Sequence, residues 1–238
     1  MGRRVAERAS IVSAFQGFPP ETFAFLRGIA EHNDKAWFEE NRGLYDVGYV
    51  GAGTAAVAEL GPRLREISPE VQFAPKVNGS LSRIYRDVRF SKDKRSYKNH
   101  LDLWFWHGER RSWDCPGFWF SLTAERLYVG GGMYRFDKEE LDSYRQSVIN
   151  PRSGRALLAA VDAVRKAGPY EIGEKTRKLL PRGFEADEDR REYLLYEGLT
   201  TMIELPVEAA RSADVIEICM QHFRATWPIT KWLLDEVV

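Results

Sequence analysis

Gly117-Phe118-Trp119-Phe120-Ser121-Leu122-Thr123-Ala124-Glu125-Arg126-Leu127-Tyr128-Val129-Gly130-Gly131-Gly132-Met133-Tyr134 reads as two strands, 117–123 and 127–134, joined by the link Ala124-Glu125-Arg126. So short a link requires the two strands to be antiparallel neighbours. Immediately upstream, Leu101, Leu103 and Phe105 alternate with Asp102, Trp104 and Trp106, so 101–107 is a third strand with its tryptophans on the face opposite the aliphatic one. A fourth is expected over 79–90. There Leu81, Arg83, Tyr85, Asp87 and Arg89 share one side, and Ser82, Ile84, Arg86, Val88 and Phe90 the other. The second set is mostly apolar and faces the core, carrying Arg86 inward, where a guanidinium needs a carboxylate, a carbonyl or a bound anion.

Helical spacing flanks this block on both sides. Pro19-Pro20-Glu21-Thr22 opens a helix with Phe23, Leu26, Ile29 and Ala30 in phase. Asn33-Asp34 caps a second, whose Trp37, Phe38, Asn41, Leu44 and Tyr45 fall near one face. A third uses Val50, Val57, Leu60, Leu64 and Ile67, with a break or kink expected at Gly61-Pro62. After the strands, Asp137-Lys138-Glu139-Glu140 is a capping-box variant before Leu141, Tyr144 and Val148, and Asn150-Pro151 starts the helix carrying Leu157, Leu158, Val161 and Val164. Residues 168–188 are rich in turn formers, and 200–205 is a further strand. From Ser212 an amphipathic helix carries Val215, Ile216, Cys219, Phe223 and Trp227, and Pro228 starts or kinks a final one. The expected fold class is α+β, with N-terminal helices, a central antiparallel sheet of four or more strands and C-terminal helices packed on it. Residues 1–14 form an arm and 15–238 a single domain.

The 238 residues, 44% hydrophobic and 29% charged, describe a soluble globular chain able to bury a real core. A formal net charge of +0 and a pI near 6.9 argue against a surface that is basic all over. No apolar run reaches the roughly 18–20 residues that cross a bilayer, and Met1–Arg8 has early positive charge without an apolar segment behind it. With only Cys115 and Cys219, in no metal-ligand spacing, the chain reads as reduced and cytoplasmic. The four histidines, His32, His100, His107 and His222, make no metal motif, and neither a Walker loop nor a dinucleotide fingerprint occurs, so no metal or cofactor is assigned. Ser91-Lys92-Asp93-Lys94 matches Ser-x-x-Lys, but the separated partner motifs of penicillin-recognising enzymes are missing.

Chemistry concentrates in residues 83–100, where Arg83, Arg86, Arg89, Lys92, Lys94, Arg95 and Lys98 stand against Asp87 and Asp93, a local charge of +5. Such a cluster gathers anions. Arg83, Arg86 and Arg89 suit a rigid clamp for phosphate or carboxylate, with Lys94 and Lys98 at its flank. Asp87, Asp93, Tyr97 and His100 are the catalytic candidates, orienting the clamp or moving a proton; Tyr85 is a further polar group. The competing assignments for Asp87 and Asp93 are structural: one orients Arg83 and Arg89, the other fixes the loop. Trp104, Trp106, Trp113 and Trp119 stack bases or sugars in one reading and fill the core in the other. Gly130-Gly131-Gly132 is either an anion-binding nest or room for a neighbouring backbone.

The run Arg83-Ile84-Tyr85-Arg86-Asp87-Val88-Arg89-Phe90-Ser91-Lys92-Asp93-Lys94-Arg95-Ser96-Tyr97-Lys98 resembles the signature of a family known as domain of unknown function 2461. Phe18, Trp37-Phe38, Asn41, the three glycines with Met133-Tyr134, Leu141 with Arg145, and Pro181-Arg182-Gly183-Phe184 agree with it. The resemblance extends from about residue 15 to the C-terminus. It implies a single domain and brings no catalytic assignment. The leading expectation is therefore a cytoplasmic protein that binds a small anion, as an enzyme or as a binder. An RNA or single-stranded DNA module is the second expectation, and a structural or protein-interaction domain with an internal ion network the third.

Overall fold

The computed structural model describes residues 15–89, 92–109, 115–173 and 175–238. The expected arm at 1–14, Phe90 of the fourth strand, and Trp113 lie outside the described residues. β1 (Leu101–Trp106), β2 (Gly117–Leu122) and β3 (Arg126–Met133) form a meander in which Leu103 faces Phe120 and Phe120 faces Val129. β5 (Leu199–Pro206) pairs antiparallel with β3, and the two-residue β4 (Glu171–Ile172) adds to β5, giving the order β1-β2-β3-β5-β4. All pairs are antiparallel; the short link requires it for β2 and β3.

One face of this sheet is apolar. Leu101, Leu103, Phe105, Phe118, Phe120, Leu122, Leu127 and Val129 are buried there against α1 (Pro20–Glu31), α2 (Lys35–Glu40), α4 (Ala52–Leu64) and the first half of α7 (Val215–Glu236). A second cluster joins Met133 and Leu199 to α5 (Lys138–Ile149), α6 (Pro151–Ala167) and the last turns of α7. Thus α7 gives Phe223 to one cluster and Trp232 to the other. Trp104 and Trp106 occupy the opposite face, as their alternation predicts, and are buried; Trp119 is half-buried.

The glycine run makes room for backbone and side chain. A Cβ on Gly130 would stand 1.8 Å from the Thr201 carbonyl oxygen of β5, and one on Gly131 would stand 2.7 Å from Thr230 Oγ1 of α7. Both approaches require glycine. This settles between the two readings of 130–132 in favour of a close neighbouring backbone.

Asp34, Asp137 and Asn150 cap their helices as the sequence indicates, Asp137 through a full capping box with Glu140. Neither proline interrupts its helix, which corrects the break expected at Gly61-Pro62 and the helix start expected at Pro228. The helix α4 runs through Gly61-Pro62 to Leu64, and the irregularity lies earlier, in a π-helical stretch over Tyr45–Gly51 that follows the short α3 (Arg42–Leu44). Likewise α7 is one helix of 22 residues through Pro228. A proline in a helix costs about 3 kcal/mol, but Phe223, Ile229, Trp232 and Leu233, buried on either side of Pro228, each contribute roughly 1.5–3 kcal/mol. Packing outweighs the lost bond.

Candidate functional site

Residues 79–89 do not form a regular strand, which corrects the fourth strand expected above. The segment is the outgoing arm of an irregular hairpin whose returning arm continues into β1. Trp104 N–H donates to Ser80 O at 2.9 Å and Ser82 N–H to Asp102 O at 3.0 Å; further out Lys98 N–H donates to Ile84 O at 2.8 Å and Arg86 N–H to Ser96 O at 3.0 Å. Leu81 therefore faces Leu103, while Tyr85 faces Tyr97. Four steps along one arm match six along the other, and the surplus falls around Asn99 and His100. A bulge of this kind breaks the ladder and re-aims side chains.

Three contacts pin the hairpin to the helices. Asn33, in the left-handed region at φ 47°, donates its amide to Tyr97 O and accepts from Tyr97 N–H, both at 3.0 Å. The phenol of Tyr49 donates to Ser82 O at 2.9 Å, and the Tyr97 ring stacks on Phe38 with centroids 4.9 Å apart. Tyr97 is thus buried, and burial raises its phenol pKa. It serves as an anchor.

The bulge gathers Lys98 and His100 onto Asp102 at the hairpin root. The Asp102 carboxylate accepts from Lys98 Nζ at 3.0 Å and from Ser121 Oγ at 2.8 Å, and lies 3.3 Å from His100 Nε2. Burial pushes this carboxyl up, but His100, Lys98 and Ser121 together overcome it and hold the pKa at about 2. The other ring nitrogen of His100 meets Asn99 Oδ1 at 3.1 Å.

At the tip the same turn is built twice. Asp87 accepts from the backbone N–H of Arg89 and from its Nε and Nη2; Asp93 accepts in the same way from Arg95. Each Asp-x-Arg unit engages the side edge of a guanidinium in a two-pronged fork. Asp93 also takes Nη1 of Arg86, and Lys94 Nζ donates to Val88 O at 2.9 Å. Hydrogen bonds from Arg89 hold the Asp87 carboxyl at about 2, and those from Arg95 and Arg86 hold Asp93 well below the usual carboxylate range.

The parity argument holds for the charged residues and fails for one apolar residue. Arg86 is half-buried, its side chain 25% exposed, and Ile84 is fully buried; Arg83, Tyr85, Asp87 and Arg89 are exposed. Leu81, placed on the charged face by alternation, is fully buried because the arm is not a regular strand there. Asp87 pairs with Arg89 and touches Arg83 only through its field. Arg83 makes no hydrogen bond or ion pair with any described residue.

Asp102 and Ser121 were missed as site residues. The signal was present, since a lone carboxylate between Leu101 and Leu103 follows Lys98 and His100 closely. Among the described residues no three His, Cys, Asp or Glu side chains group in a way that would hold a metal ion. No helix among them is long and apolar enough to cross a membrane. Among the described residues, neither Cys115 nor Cys219 is in a disulfide.

The model of a family described as conserved hypothetical protein DUF2461 matches residues 21–232. No curated protein matches the sequence significantly. Among solved structures, an uncharacterised protein from Methanothermobacter thermautotrophicus is similar at 10% identity, over 77% of this chain and 99% of that one, with a TM-score of 0.36.

Proposed function

The chain belongs to the conserved hypothetical protein family DUF2461, and we propose that in the cytoplasm it binds an anionic group, phosphate or carboxylate, at the 83–100 hairpin. Arg83, Arg86 and Arg89 supply the guanidinium donors, with Lys94 and Lys98 beside them. One observation carries this reading: the guanidinium edges of Arg89 and Arg95 already hold oxyanions, the carboxylates of Asp87 and Asp93, at an exposed tip. Arg89 is 76% exposed and Arg95 53%. Ion pairs that open to water contribute only ~0–1 kcal/mol each, so an arriving phosphate can share or displace them at little cost. Such exposure also weighs against an internal ion network as the role of the motif. Arg83, beside Asp87, offers a guanidinium with no described partner to displace. The field of the cluster raises the local anion concentration.

A second reading, binding of single-stranded nucleic acid, is favoured by Tyr85. Its ring is 50% exposed on the face that also carries Arg83, where it offers a base a stacking surface near a cation.

Thermal unfolding at low salt tests both. With pyrophosphate or citrate the midpoint should rise by mass action, should rise less in Arg83→Ala, and the gain should fade with added salt. A response confined to an RNA oligomer, with a steep salt dependence, supports the second reading. No response to either ligand class refutes both.

A further inference from the structure

Where β3 leaves the sheet and β5 enters it, a second group of cations gathers. Residues 195–197 thread between two segments there: Leu195 O accepts from the N–H groups of Thr176 and Arg177, and Glu197 O accepts from Phe136 N–H. Two clefts flank this thread. One, of about 520 Å³, is lined by Arg135, Lys138 and Leu141 with the carboxylates of Asp137, which caps α5, and Glu197; the next, of about 400 Å³, by Arg177, Lys178 and again Glu197. Both sizes suit small molecules, whose sites run to roughly 300–1,000 Å³. Arg177 Nη1 meets Glu197 Oε1 at 2.9 Å, so the carboxylate is already balanced by one cation. Arg135, Lys138 and Lys178 remain around it.

Arg145 lies one turn beyond the cleft residue Leu141 on α5, within the fields of Arg177 and Glu197. Its Nε and Nη2 are both shut off from solvent and have no hydrogen-bond partner among the described residues. Half-buried Phe184, from the irregular segment after β4, covers the guanidinium with its ring centroid 5.7 Å from Cζ. Burial, then the nearby Arg177, disfavours the charged form of Arg145, against weaker support from Glu197 and Asp142. Two orphaned N–H groups on a guanidinium are costly to bury. They are also the side edge, Nε with Nη2, that grips a carboxylate twice elsewhere in this molecule, in Arg89–Asp87 and Arg95–Asp93.

We propose that Arg145 anchors a second ligand site, separate from the hairpin, that takes a small polycarboxylate. One carboxylate lies in the Nε/Nη2 fork of Arg145, and the remaining charge faces Arg135, Lys138 and Arg177. Because both nitrogens are shut off, the ligand enters by displacing the Phe184 ring. The hairpin joins the sheet at β1, and Glu197 leads into β5, three strand spacings away, or about 14 Å. The two sites therefore titrate independently.

Isothermal titration calorimetry with citrate, succinate, acetate and inorganic phosphate decides the matter on the full chain. The expected result, read in an Arg83→Ala background that weakens the hairpin site, is citrate binding at least tenfold tighter than acetate that is lost on adding either Arg145→Lys or Arg145→Met. Arg145→Lys keeps the charge and loses the fork. With no ligand present, Arg145→Met should melt at or above the wild-type temperature, since it removes two buried N–H groups that lack a described partner. In the Arg83→Ala background, citrate binding that is absent or that Arg145→Lys leaves unchanged would overturn the second site, and phosphate binding more tightly than citrate there would overturn the polycarboxylate assignment. A lowered midpoint for Arg145→Met together with no citrate binding in the wild type would show a packing group and overturn the proposal entirely.

Discussion

Replacing Asp102 by Asn tests whether the root of the hairpin is held by charge. The carboxyl sits at about 2, against an ordinary 3.8. At 1.36 kcal/mol per pH unit this favours the folded, ionised form by about 2 kcal/mol. Asparagine keeps the shape and can still accept from Ser121 Oγ, but it leaves Lys98 Nζ and His100 without their carboxylate. Lys98 is 22% exposed, so water repays only part of that loss. Urea unfolding at pH 7 should therefore show Asp102→Asn destabilised by ~2–3 kcal/mol. The sign with pH follows from the lowered folded-state pKa. The wild-type advantage is complete above pH ~4, falls to roughly half by pH 3 and vanishes as the pH drops through 2. The Asn variant has no such term, so the gap between the two proteins should close over that window. A gap under ~0.5 kcal/mol at pH 7 would contradict the argument, as would a gap constant down to the lowest pH at which both proteins fold.

Gly130→Ala should push β3 away from β5, because its Cβ falls 1.8 Å from the Thr201 carbonyl oxygen; we expect a loss of ~3 kcal/mol or more, read from the denaturant midpoint. Asn33→Ala removes both bonds to the Tyr97 backbone and should cost ~1–3 kcal/mol, with amide exchange at Tyr97 and Lys98 accelerated first. Alkylation of the native protein should label Cys115, which is half-buried, and spare Cys219, which is fully buried and whose thiol burial pushes far up; unfolding should release the second label.

Much of the fold was legible because its signals are local. The link at 124–126, the alternation of 101–106 and the caps at Asp34, Asp137 and Asn150 each lie within a few residues of their consequence. The prolines misled because Pro62 and Pro228 act on one hydrogen bond, while the buried residues around them act through the whole core. The outgoing arm of the hairpin was misread as a strand because nothing in 79–90 announces the surplus residues at Asn99 and His100 on the other arm. The charged motif was visible as composition, and the inward turn of Arg86 as parity. Its pairing with Asp93, and the duplicated Asp-x-Arg turns, emerge only from the tip geometry. The surroundings of Asp102 and Arg145 were only partly legible. Lys98 and His100 stand just upstream of Asp102, but its third partner, Ser121, comes from β2, and the cover of Arg145 comes from 168–188, where turn residues leave no periodicity to follow.

The most direct test of the hairpin reading observes the guanidinium groups themselves. In a ¹⁵N spectrum of the arginine side chains titrated with pyrophosphate at low salt, the Nε–H signals of Arg83, Arg86 and Arg89 should move together along one binding curve. Those of Arg63 and Arg224, engaged with Glu217 and Glu66 between α4 and α7, should stay in place. Movement of Arg63 and Arg224 to the same extent, or silence at all three hairpin arginines through the titration, would contradict anion binding at this motif.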